Sequence, residues 1–338
     1  MSARSDRPPL TDPFEIGGIP ISNRVLLAPL AGIGNWFVRL QAKRHGAGLA
    51  VSEMVSSFAL HYRNERTLRE LMRIHPDEHP VSVQLFGHDA EVMRSGAAIA
   101  AEAGADLIDI NMGCPVRKVC KTGAGASLLD DPDRAVALAR AARDGSGVPV
   151  TVKLRSGLVP GDRRGFDLAR RLVEEAGVAG IGFHPRHASQ QHKGTPDYDL
   201  AAELVAVLPA PVLLTGGLST AEKARAAYER TGAAAVLLAR GSLGNPWIFE
   251  ELLGTRSGEP SAEEITRELM WVIDKAEEHF GVERAGRWLR KCYPWYGERL
   301  GLTKKRLHEL SMSPSTDAAR TLLSAILPSS TLPDLSYA

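Results

Sequence analysis

Cys114 is the residue of this chain whose surroundings point most directly to chemistry. It stands in the segment Asn111-Met112-Gly113-Cys114-Pro115, directly after a short apolar run. The flanking glycine and proline fix the backbone there, and a thiol held in this way is a candidate acid or nucleophile. Taken alone, a single cysteine is more often a small buried hydrophobe. The chemical interpretation therefore depends on the elements that position the segment.

Polar side chains also close most of the other short apolar runs. Seven of the eight runs end on one: Glu53, Gln84, Asn111, Lys153, His184, Thr215 and Arg240. A strand that is buried on both faces should carry polar groups only where they have partners. Polar groups that are confined to one end of each run therefore indicate a ring of ligand contacts.

Two of these positions favour a negatively charged ligand. Lys153 can stabilise negative charge that develops on a ligand, although a lysine that only extends to solvent at a strand end is an equal alternative. His184 is followed by Arg186 and His187. Three basic or titratable groups within four residues favour ligand binding over a structural role for the histidine.

The apolar runs themselves predict the fold. We predict strands over residues 25–30, 49–54, 81–85, 107–111, 150–154, 180–184, 212–215 and 235–239, with amphipathic helices between them, such as 90–103, 133–144, 167–176 and 221–231. Eight strands that alternate with helices predict an α/β fold, a (β/α)8 TIM barrel. The alternative is a doubly wound open sheet, which usually has a Gly-x-Gly-x-x-Gly turn after the first strand. Residues 28–32 read Ala-Pro-Leu-Ala-Gly instead.

In such a barrel, ligands bind at the carboxyl ends of the strands, and the loops after strands seven and eight frequently bind phosphate. Here those loops contain Thr215-Gly216-Gly217 and Ala239-Arg240. Glycines expose backbone N–H groups, and the arginine adds a charged fork. The pattern predicts a phosphorylated cofactor or substrate, although many unrelated barrels share it.

The barrel pattern stops near Glu251, and helical stretches follow over about residues 261–280, 283–300, 303–310 and 316–327. We predict a catalytic barrel domain over residues 1–253, a linker over 254–260 and a small C-terminal α-helical domain over 261–338. A chain of 338 residues has room for a barrel of about 250 residues and an appended domain.

Composition narrows the class of protein. Net charge is +1, with 44% apolar and 24% charged residues, so a polyanionic partner would have to bind a local cluster. The three cysteines, Cys114, Cys120 and Cys292, form no Cys-x-x-Cys pair, so we expect no metal. Residues 1–9 lack the apolar region of a signal peptide, and no apolar run approaches 18 residues. We therefore expect a cytoplasmic protein that has no membrane segment.

One local cluster of positive charge does occur. Residues 284–306 contain eight basic residues and one acid, a net charge of +7. Arg284, Arg287, Arg290 and Lys291 share one face of a predicted helix, and the interleaved aromatic residues are Trp288, Tyr293, Trp295 and Tyr296. This combination suits phosphate contact and base stacking. A solvated helix face with aromatics packed inward is the alternative, but the local charge favours RNA.

Taken together, these residues resemble the tRNA-dihydrouridine synthase family, most closely its bacterial B-type branch. The segment around Cys114 is the most specific match, and the similarity extends over about residues 25–251 and more weakly through the tail. The matching motifs are Ala-Pro-Leu-Ala-Gly (28–32), Ser-Glu-Met (52–54), Val-Gln-Leu (83–85), Asp-Ile-Asn-Met-Gly-Cys-Pro (109–115), Lys-Leu-Arg (153–155), His-Pro-Arg (184–186), residues 194–198, Thr-Gly-Gly (215–217) and Asn-Pro-Trp-Ile-Phe (245–249).

The resemblance implies that FMN lies across the barrel mouth. It implies that the flavin is backed by Pro29, Leu30 and Ala31 and contacted by Gln84, Lys153 and His184. The phosphate end would be held by Thr215, Gly216, Gly217, Ala239 and Arg240.

The resemblance also implies the reaction, the reduction of specific uridines in tRNA to 5,6-dihydrouridine. NADPH or NADH would reduce FMN, a hydride would pass from the flavin N5 to C6 of uracil, and Cys114 would protonate C5. Asn111 and Arg186 would lie near the substrate. The helical domain, with Arg287, Arg290 and Lys291, would bind the tRNA, and we expect a monomer.

Some positions depart from the family pattern. Leu30 replaces a common methionine, Thr215 a common asparagine, and Cys292 a common histidine. Two rival functions stay open at this point. A flavin barrel that reduces a free pyrimidine would have no use for the basic tail, and an RNA-binding barrel without catalysis would not need the Cys114 motif.

Overall fold

The computed structural model describes residues 7–326. The first six residues of the predicted barrel domain, and residues 327–338 of the predicted helical domain, lie outside the described residues. The strands are β1 (Phe14–Ile16), β2 (Ile19–Ile21), β3 (Val25–Leu27), β4 (Ala50–Val51), β5 (Val55–Ser56), β6 (Val81–Phe86), β7 (Leu107–Met112), β8 (Val150–Arg155), β9 (Gly180–His184), β10 (Val212–Leu214) and β11 (Ala235–Leu238).

Helices alternate with these strands and then continue alone to the end of the described chain. They are α1 (Trp36–Arg44), α2 (Ser57–His61), α3 (Glu65–Leu71), α4 (Ala90–Glu102), α5 (Arg117–Cys120), α6 (Pro132–Ser146), α7 (Arg164–Ala176), α8 (Tyr198–Val207), α9 (Ala221–Thr231), α10 (Trp247–Leu253), α11 (Ala262–Phe280), α12 (Val282–Leu289), α13 (Tyr293–Arg299), α14 (Lys304–Ser311) and α15 (Thr316–Ser324).

The parallel strands close into a barrel. From β3 the order runs through β11, β10, β9, β8 and β7 to β6, and β4 closes the ring because it pairs with both β3 and β6. β4 pairs with the first half of β6 and β5 with its second half. The two short strands therefore share one place in the ring, which has eight places in all. The predicted (β/α)8 TIM barrel is confirmed.

The predicted second strand, residues 49–54, is instead two short pieces, β4 and β5. Between them the chain leaves the ladder, and the N–H of Glu53 donates to the carbonyl of Gly34 at 3.2 Å. The Ser52 hydroxyl donates to the carbonyl of Glu53 at 2.7 Å. The N–H and the carbonyl of Glu53 are thus bonded to the Gly34 loop and to the Ser52 side chain and not to a neighbouring strand. Glu53 therefore lies outside the strand.

The lower end of the barrel is closed by a hairpin that the sequence analysis did not predict. β1 and β2 pair antiparallel across a Gly17-Gly18 turn, and both glycines have positive φ angles of 59° and 85°. Two-residue hairpins favour this conformation, and glycine adopts it without steric cost. Ile16 and Ile21 are fully buried. They pack against a cluster from the start of the barrel strands, which includes Leu26, Leu107, Leu213 and Leu237.

The helices begin and end where local chemistry favours it. Before α6, the Asp131 side chain accepts a hydrogen bond from the N–H of Arg134, and Pro132 occupies the first turn. The helix ends at Gly147, whose φ of 66° is left-handed. A carboxylate cap, an early proline and a terminal glycine are the expected signals, which is why this helix was predicted to within a turn.

The chain divides into two compact units. The first runs to Gly241 and includes Ile248–Thr255, while the second comprises Ser242–Trp247 and continues from Arg256. In the second unit the predicted helix 283–300 is two helices, α12 and α13. The break is where Pro294, in the first turn of α13, removes a backbone donor that a continuous helix would need. Among residues 7–326, no helix is sufficiently long and apolar to cross a lipid bilayer.

Candidate active site

The predicted site residues of the central strands lie side by side at the barrel mouth. In the strand register Gln84 of β6 faces Asp109 of β7, and Asn111 of β7 faces Lys153 of β8. Gln84 is 1% exposed and Asn111 9%. The Asn111 Nδ2 group donates to Gln84 Oε1 at 2.9 Å. Parallel register thus brings residues that are far apart in sequence into one polar row.

The loop that carries Cys114 is fixed at both ends. Asn111 Oδ1 accepts hydrogen bonds from the N–H groups of Gly113 at 3.2 Å and Cys114 at 2.9 Å. The carbonyl of Cys114 accepts from the N–H of Ala126 at 3.0 Å and from the Cys120 thiol at 3.3 Å. Cys114 is half-buried. Its backbone is therefore held, and its thiol is not buried in the protein core. The amide of Asn111, which the resemblance assigns to the substrate, is engaged within this loop.

Arg155 is a functional candidate to which the sequence analysis gave no role of its own. It is 3% exposed, and its Nε donates to the carbonyl of Gly113 at 2.9 Å. Its Nη1 donates to the carbonyls of Gln191 at 2.7 Å and His187 at 3.3 Å. Arg155 thus connects the Cys114 loop with the loop after β9. Its position two residues after Lys153, on the same face of the strand, was the signal that could have identified it.

The surroundings of Lys153 disfavour the charged form of its ammonium group. Burial and the nearby Arg155 guanidinium lower its pKa to about 8, against the opposing effects of Asp109 and Cys114. Burial likewise lowers the pKa of Arg155 to about 10, together with the positive charge of Arg186. Cations that are held close together in this way favour an anionic ligand, which would relieve their mutual repulsion.

His184 ends β9 as a neutral group. Its burial, and then the charges of Lys153, Arg155 and Arg186, hold its pKa well below the usual range. Arg186 Nη1 lies 3.1 Å from His184 Nε2, and since arginine can only donate, the Nε2 atom accepts. Arg186 Nη2 donates to the carbonyl of Gly194 at 2.7 Å. Arg186 Nε is buried and has no hydrogen-bond partner within the described chain. This orphan donor is suited to a ligand.

The loops after β10 and β11 supply further donors. The Gly216 backbone has a φ of +100°, and a Cβ built there would lie 2.3 Å from His184 Cδ2, so only glycine fits. The Tyr198 hydroxyl donates to the Gly216 carbonyl at 2.9 Å. Among residues 7–326, the N–H groups of Gly216 and Gly217 and the exposed Arg240 guanidinium have no hydrogen-bond partner. Thr215 is buried beside them, and Ala239 is half-buried.

The loop after β3 is anchored from below. Pro29 is half-buried, Leu30 is buried, and Ala31 is exposed at the mouth. The carbonyl of Gly34 accepts from Arg39 Nη1 at 3.1 Å. Arg39 is itself paired with Glu78 at 2.6 Å, with both side chains buried. The ion pair therefore fixes the loop that the sequence analysis assigned to the flavin.

The basic tail, residues 284–306, has exposed cations and buried aromatic residues. Arg287, Arg290 and Lys291 are exposed, and Arg287 makes an exposed pair with Glu283 at 3.0 Å. Such a pair is weak and leaves the cation accessible to a phosphate. Tyr293 and Tyr296 are each 2% exposed. Those two aromatics pack inward, so base stacking is not available to them in this conformation.

The first unit thus defines a class, a (β/α)8-barrel enzyme whose mouth joins a half-buried thiol to cations and unpaired donors. Within the described residues, no group of three or more histidine, cysteine, aspartate or glutamate side chains could hold a metal ion. The chain belongs to the dihydrouridine synthase family. The family model described as Dihydrouridine synthase (Dus) matches residues 26–324.

Relatives with assigned names agree with this. The chain is 36% identical to tRNA-dihydrouridine synthase B of Pseudomonas putida, over 83% of this chain and 84% of that protein. It is 34% identical to tRNA-dihydrouridine synthase B of Pseudomonas aeruginosa, over 90% of this chain and 92% of that protein. The expected likeness to the B-type branch is confirmed.

Solved structures resemble the fold at low sequence identity. Morphinone reductase matches with a TM-score of 0.57 and 17% identity, over 78% of this chain and 94% of its own. The old yellow enzyme homologue from Zymomonas mobilis matches with a TM-score of 0.56 and 15% identity, over 76% and 96%. At this level of identity, these likenesses show the fold alone.

Proposed function

We propose that this chain reduces uridines in tRNA to 5,6-dihydrouridine, with FMN as the bound flavin and NADPH or NADH as the reductant. Family membership and the names of the relatives support the reaction. The observation that carries the proposal is the placement of a half-buried thiol, Cys114, directly after Gly113, whose carbonyl accepts from the buried Arg155 at 2.9 Å, with the half-buried Lys153 on the same strand as Arg155. A proton donor beside fixed positive charge suits the reduction of a polarised double bond.

The mouth of the barrel has the donors that FMN requires. Its phosphate needs several N–H groups and a cation, and Gly216, Gly217 and Arg240 offer them without competing partners. The orphan Nε of Arg186 is a further donor. Lys153 would hold negative charge at the ring, with Gln84 as an amide contact and Pro29, Leu30 and Ala31 behind it. When bound, FMN supplies the hydride, from N5 to C6 of the uracil.

The residues of the chain then complete the reaction. Hydride addition at C6 leaves negative charge on C5 and the adjacent carbonyl of the uracil. The Cys114 thiol delivers the proton to C5, and hydrogen bonds of its N–H and carbonyl groups hold the backbone that carries it. Lys153 and Arg155 stabilise the charge on the carbonyl side. His184 is neutral and stays neutral through the reaction, because protonation would place a fourth charge beside Lys153, Arg155 and Arg186.

The substrate must come to the mouth as an extruded base, since a uracil stacked in folded RNA exposes neither face of C5 and C6. The exposed Arg287, Arg290 and Lys291 of the second unit would hold the tRNA by its phosphates. Asn111 and Arg186 would lie near the entering base. We place the reaction in the cytoplasm, where tRNA is modified.

The test of this function uses tRNA from a strain that lacks dihydrouridine. The purified protein is incubated anaerobically with FMN, NADPH and this tRNA, and dihydrouridine is measured by mass spectrometry of the digested nucleosides. We expect dihydrouridine at a defined position of the tRNA. Reduction of free uracil or orotate with no reduction of tRNA would assign the barrel to a free pyrimidine instead.

The cofactor assignment has its own measurement. The purified protein should be yellow and should release FMN on denaturation. Arg240→Ala should retain much less FMN, because a charge-assisted phosphate contact contributes about 1.5–3 kcal/mol. Arg230→Ala, which removes an exposed arginine paired with Asp199 on an outer helix, is the control and should keep its flavin. Release of FAD, or no flavin after reconstitution, would refute the assignment.

A further inference from the structure

A continuous chain of hydrogen bonds crosses three neighbouring strands below the Cys114 loop. Thr151 Oγ1 and Gln84 Nε2 each donate to the Asp109 carboxylate at 2.6 Å. Gln84 Oε1 accepts from Asn111 Nδ2 at 2.9 Å. Asn111 Oδ1 in turn accepts from the N–H of Cys114 at 2.9 Å. The chain therefore runs from a buried anion to the backbone of the proposed proton donor.

The two amides in this chain could, by shape alone, point either way. A carboxamide has nearly the same outline when its oxygen and nitrogen are exchanged, so only its partners fix its direction. Asp109 as a carboxylate can only accept, which forces the Nε2 group of Gln84 towards it. Gln84 Oε1 must then face Asn111, and Asn111 Oδ1 must face the loop. The acceptor at position 109 and the backbone N–H donors of Gly113 and Cys114 therefore select the same direction from the two ends of the chain.

We propose that Asp109 is a positioning residue that sets the direction of the Gln84 and Asn111 amides and, through them, holds the Cys114 loop. This role rests on the proposed function only for its catalytic consequence. If the direction were reversed, Asn111 would present Nδ2 to the N–H groups of Gly113 and Cys114, donor against donor. The loop would then lose both bonds that hold its first turn.

Burial makes the direction matter. Asp109 is 4% exposed, Gln84 1% and Asn111 9%, so water does not readily take over a bond that is lost. Burial raises the pKa of Asp109, while the short donor contacts from Thr151 and Gln84 and the nearby charge of Lys153 oppose that rise and favour the carboxylate form. A buried network of this kind is stable only when each member is satisfied.

Substitutions at position 109 can distinguish the effect of a hydrogen-bond acceptor from the effect of a negative charge. In Asp109→Asn, the amide oxygen can accept from Gln84 while its nitrogen donates to Thr151, whose hydroxyl can turn round to accept. Asp109→Leu leaves no acceptor. The double variant Asp109→Asn with Thr151→Val removes the hydroxyl that orients the new amide, so the chain loses its direction although each single change keeps it.

The first measurement needs neither flavin nor tRNA. In a Cys120→Ala background, the rate at which iodoacetamide alkylates Cys114 reports release of the loop, since Cys292 is buried. We expect Asp109→Leu and the double variant to be alkylated on the order of tenfold faster, the change that follows from the loss of one buried hydrogen-bond partner. Asp109→Asn and Thr151→Val should each stay within about threefold of the parent. Equal rates in the double variant and the two single variants would overturn the proposal.

The second measurement is the catalytic consequence. With flavin content matched, single-turnover oxidation of the reduced protein by tRNA should slow by about 10²-fold or more in the double variant, the usual effect of losing a placed acid. Asp109→Asn should restore most of the rate. If Asp109→Asn is as slow as Asp109→Leu, charge and not direction is what counts, and the proposal is wrong. If Asp109→Leu fails to fold, the double variant against its single variants decides. Absence of any tRNA-dependent oxidation in the parent refutes the proposed function, while alkylation still tests Asp109.

Discussion

At the scale of single residues, the Cys114 loop contains two thiols in different situations. Cys114 has its backbone fixed by Asn111 and Ala126. The Cys120 thiol is used as a donor to the Cys114 carbonyl at 3.3 Å. A thiol that already donates within the protein has a structural role, whereas the thiol of Cys114 is the one left to act on a substrate. The two residues therefore form a natural pair for a controlled comparison.

Cys114→Ala should accept electrons from NADPH at a normal rate but pass them to tRNA slowly. Adding hydride at C6 requires a proton at C5, and a positioned general acid contributes about 10²–10⁴-fold. Cys114→Ser should recover only part of the rate, since a hydroxyl is a weaker acid. The measurement is single-turnover flavin reoxidation under anaerobic conditions, with Cys120→Ala as the active control. Wild-type rates in Cys114→Ala would identify another acid.

The perturbed Lys153 predicts a pH dependence. Its pKa is lowered to about 8, so its positive charge is present below pH 8 and is lost as pH rises through that value. In a Cys114→Ala background, where the catalytic thiol cannot titrate and its raising effect on Lys153 is lost, flavin reduction by NADPH should slow as pH rises through a value at or below about 8. Lys153→Met should be slow at all pH values and flat in this range. A pH profile that Lys153→Met leaves unchanged would assign the titration to another group.

The position of the polar side chains at the strand ends was predictable, but the residues that hold them there were not. Gln84, Lys153 and His184 could be predicted because each interrupts an apolar run. Asp109 looks similar in sequence, yet its partners, Gln84 and Thr151, are 25 and 42 positions away. Such pairing depends on strand register, which a single sequence does not specify.

At the scale of elements, the loop after β3 depends on one buried ion pair. Arg39 Nε and Glu78 lie 2.6 Å apart, and the same guanidinium donates to the carbonyls of Gly34 and Arg73. Burial raises the pKa of Glu78 despite the opposing effect of Arg39. Both features indicate that the glutamate is costly to bury without its partner.

Arg39→Met should therefore lower the free energy of unfolding by about 3–5 kcal/mol, since it leaves a buried carboxylate unpaired. The double variant Arg39→Met with Glu78→Leu should regain most of that loss. Urea unfolding measures both, and Arg171→Met, which breaks exposed pairs with Asp133 and Glu175, should change little. If the double variant is as unstable as Arg39→Met, packing and not the unpaired charge is responsible.

The elements themselves were mostly predictable from periodicity. The β9 and α9 bounds agree with the predicted ones, because a glycine or a polar cap marks their ends. The hairpin of β1 and β2 was missed, although Gly17-Gly18 between two apolar pairs was an available signal. The division of residues 49–54 into β4 and β5 depends on the carbonyl of Gly34, a contact from another loop that the local sequence cannot reveal.

At the scale of the whole molecule, the charges are distributed unevenly. Several arginines on the barrel helices or at their starts are paired with acids, among them Arg163 with Glu203 and Arg171 with Asp133. The exposed cations of the tail belong to a segment with a net charge of +7 in a chain of +1. We therefore expect the tRNA contact at the tail, and the barrel helices provide matched controls.

Replacing Arg287, Arg290 and Lys291 with alanine should weaken tRNA binding and flatten its salt dependence, by up to roughly 0.9 log–log units for each lost phosphate contact. Flavin content should be unchanged, because these residues belong to the second compact unit. The control replaces Arg163, Arg171 and Arg230, whose acid partners reduce their net effect. Binding assays at several salt concentrations measure both sets. Equal slopes for the tail variant and the wild type would make the tail an ordinary solvated surface.

The Cys114 loop also has a consequence for how such a sequence can diverge over time. A Cβ at Gly125 would lie 2.7 Å from the Cys114 carbonyl oxygen, and the φ of Gly125 is +65°, so another residue here would displace the backbone of Cys114. Between Cys114 and Gly125, the side chains of Val116, Arg117 and Lys118 are exposed to solvent. Natural variation should therefore accumulate in those side chains. Related sequences should therefore differ in the molecules that the rim of the barrel contacts and share the same Cys114 backbone.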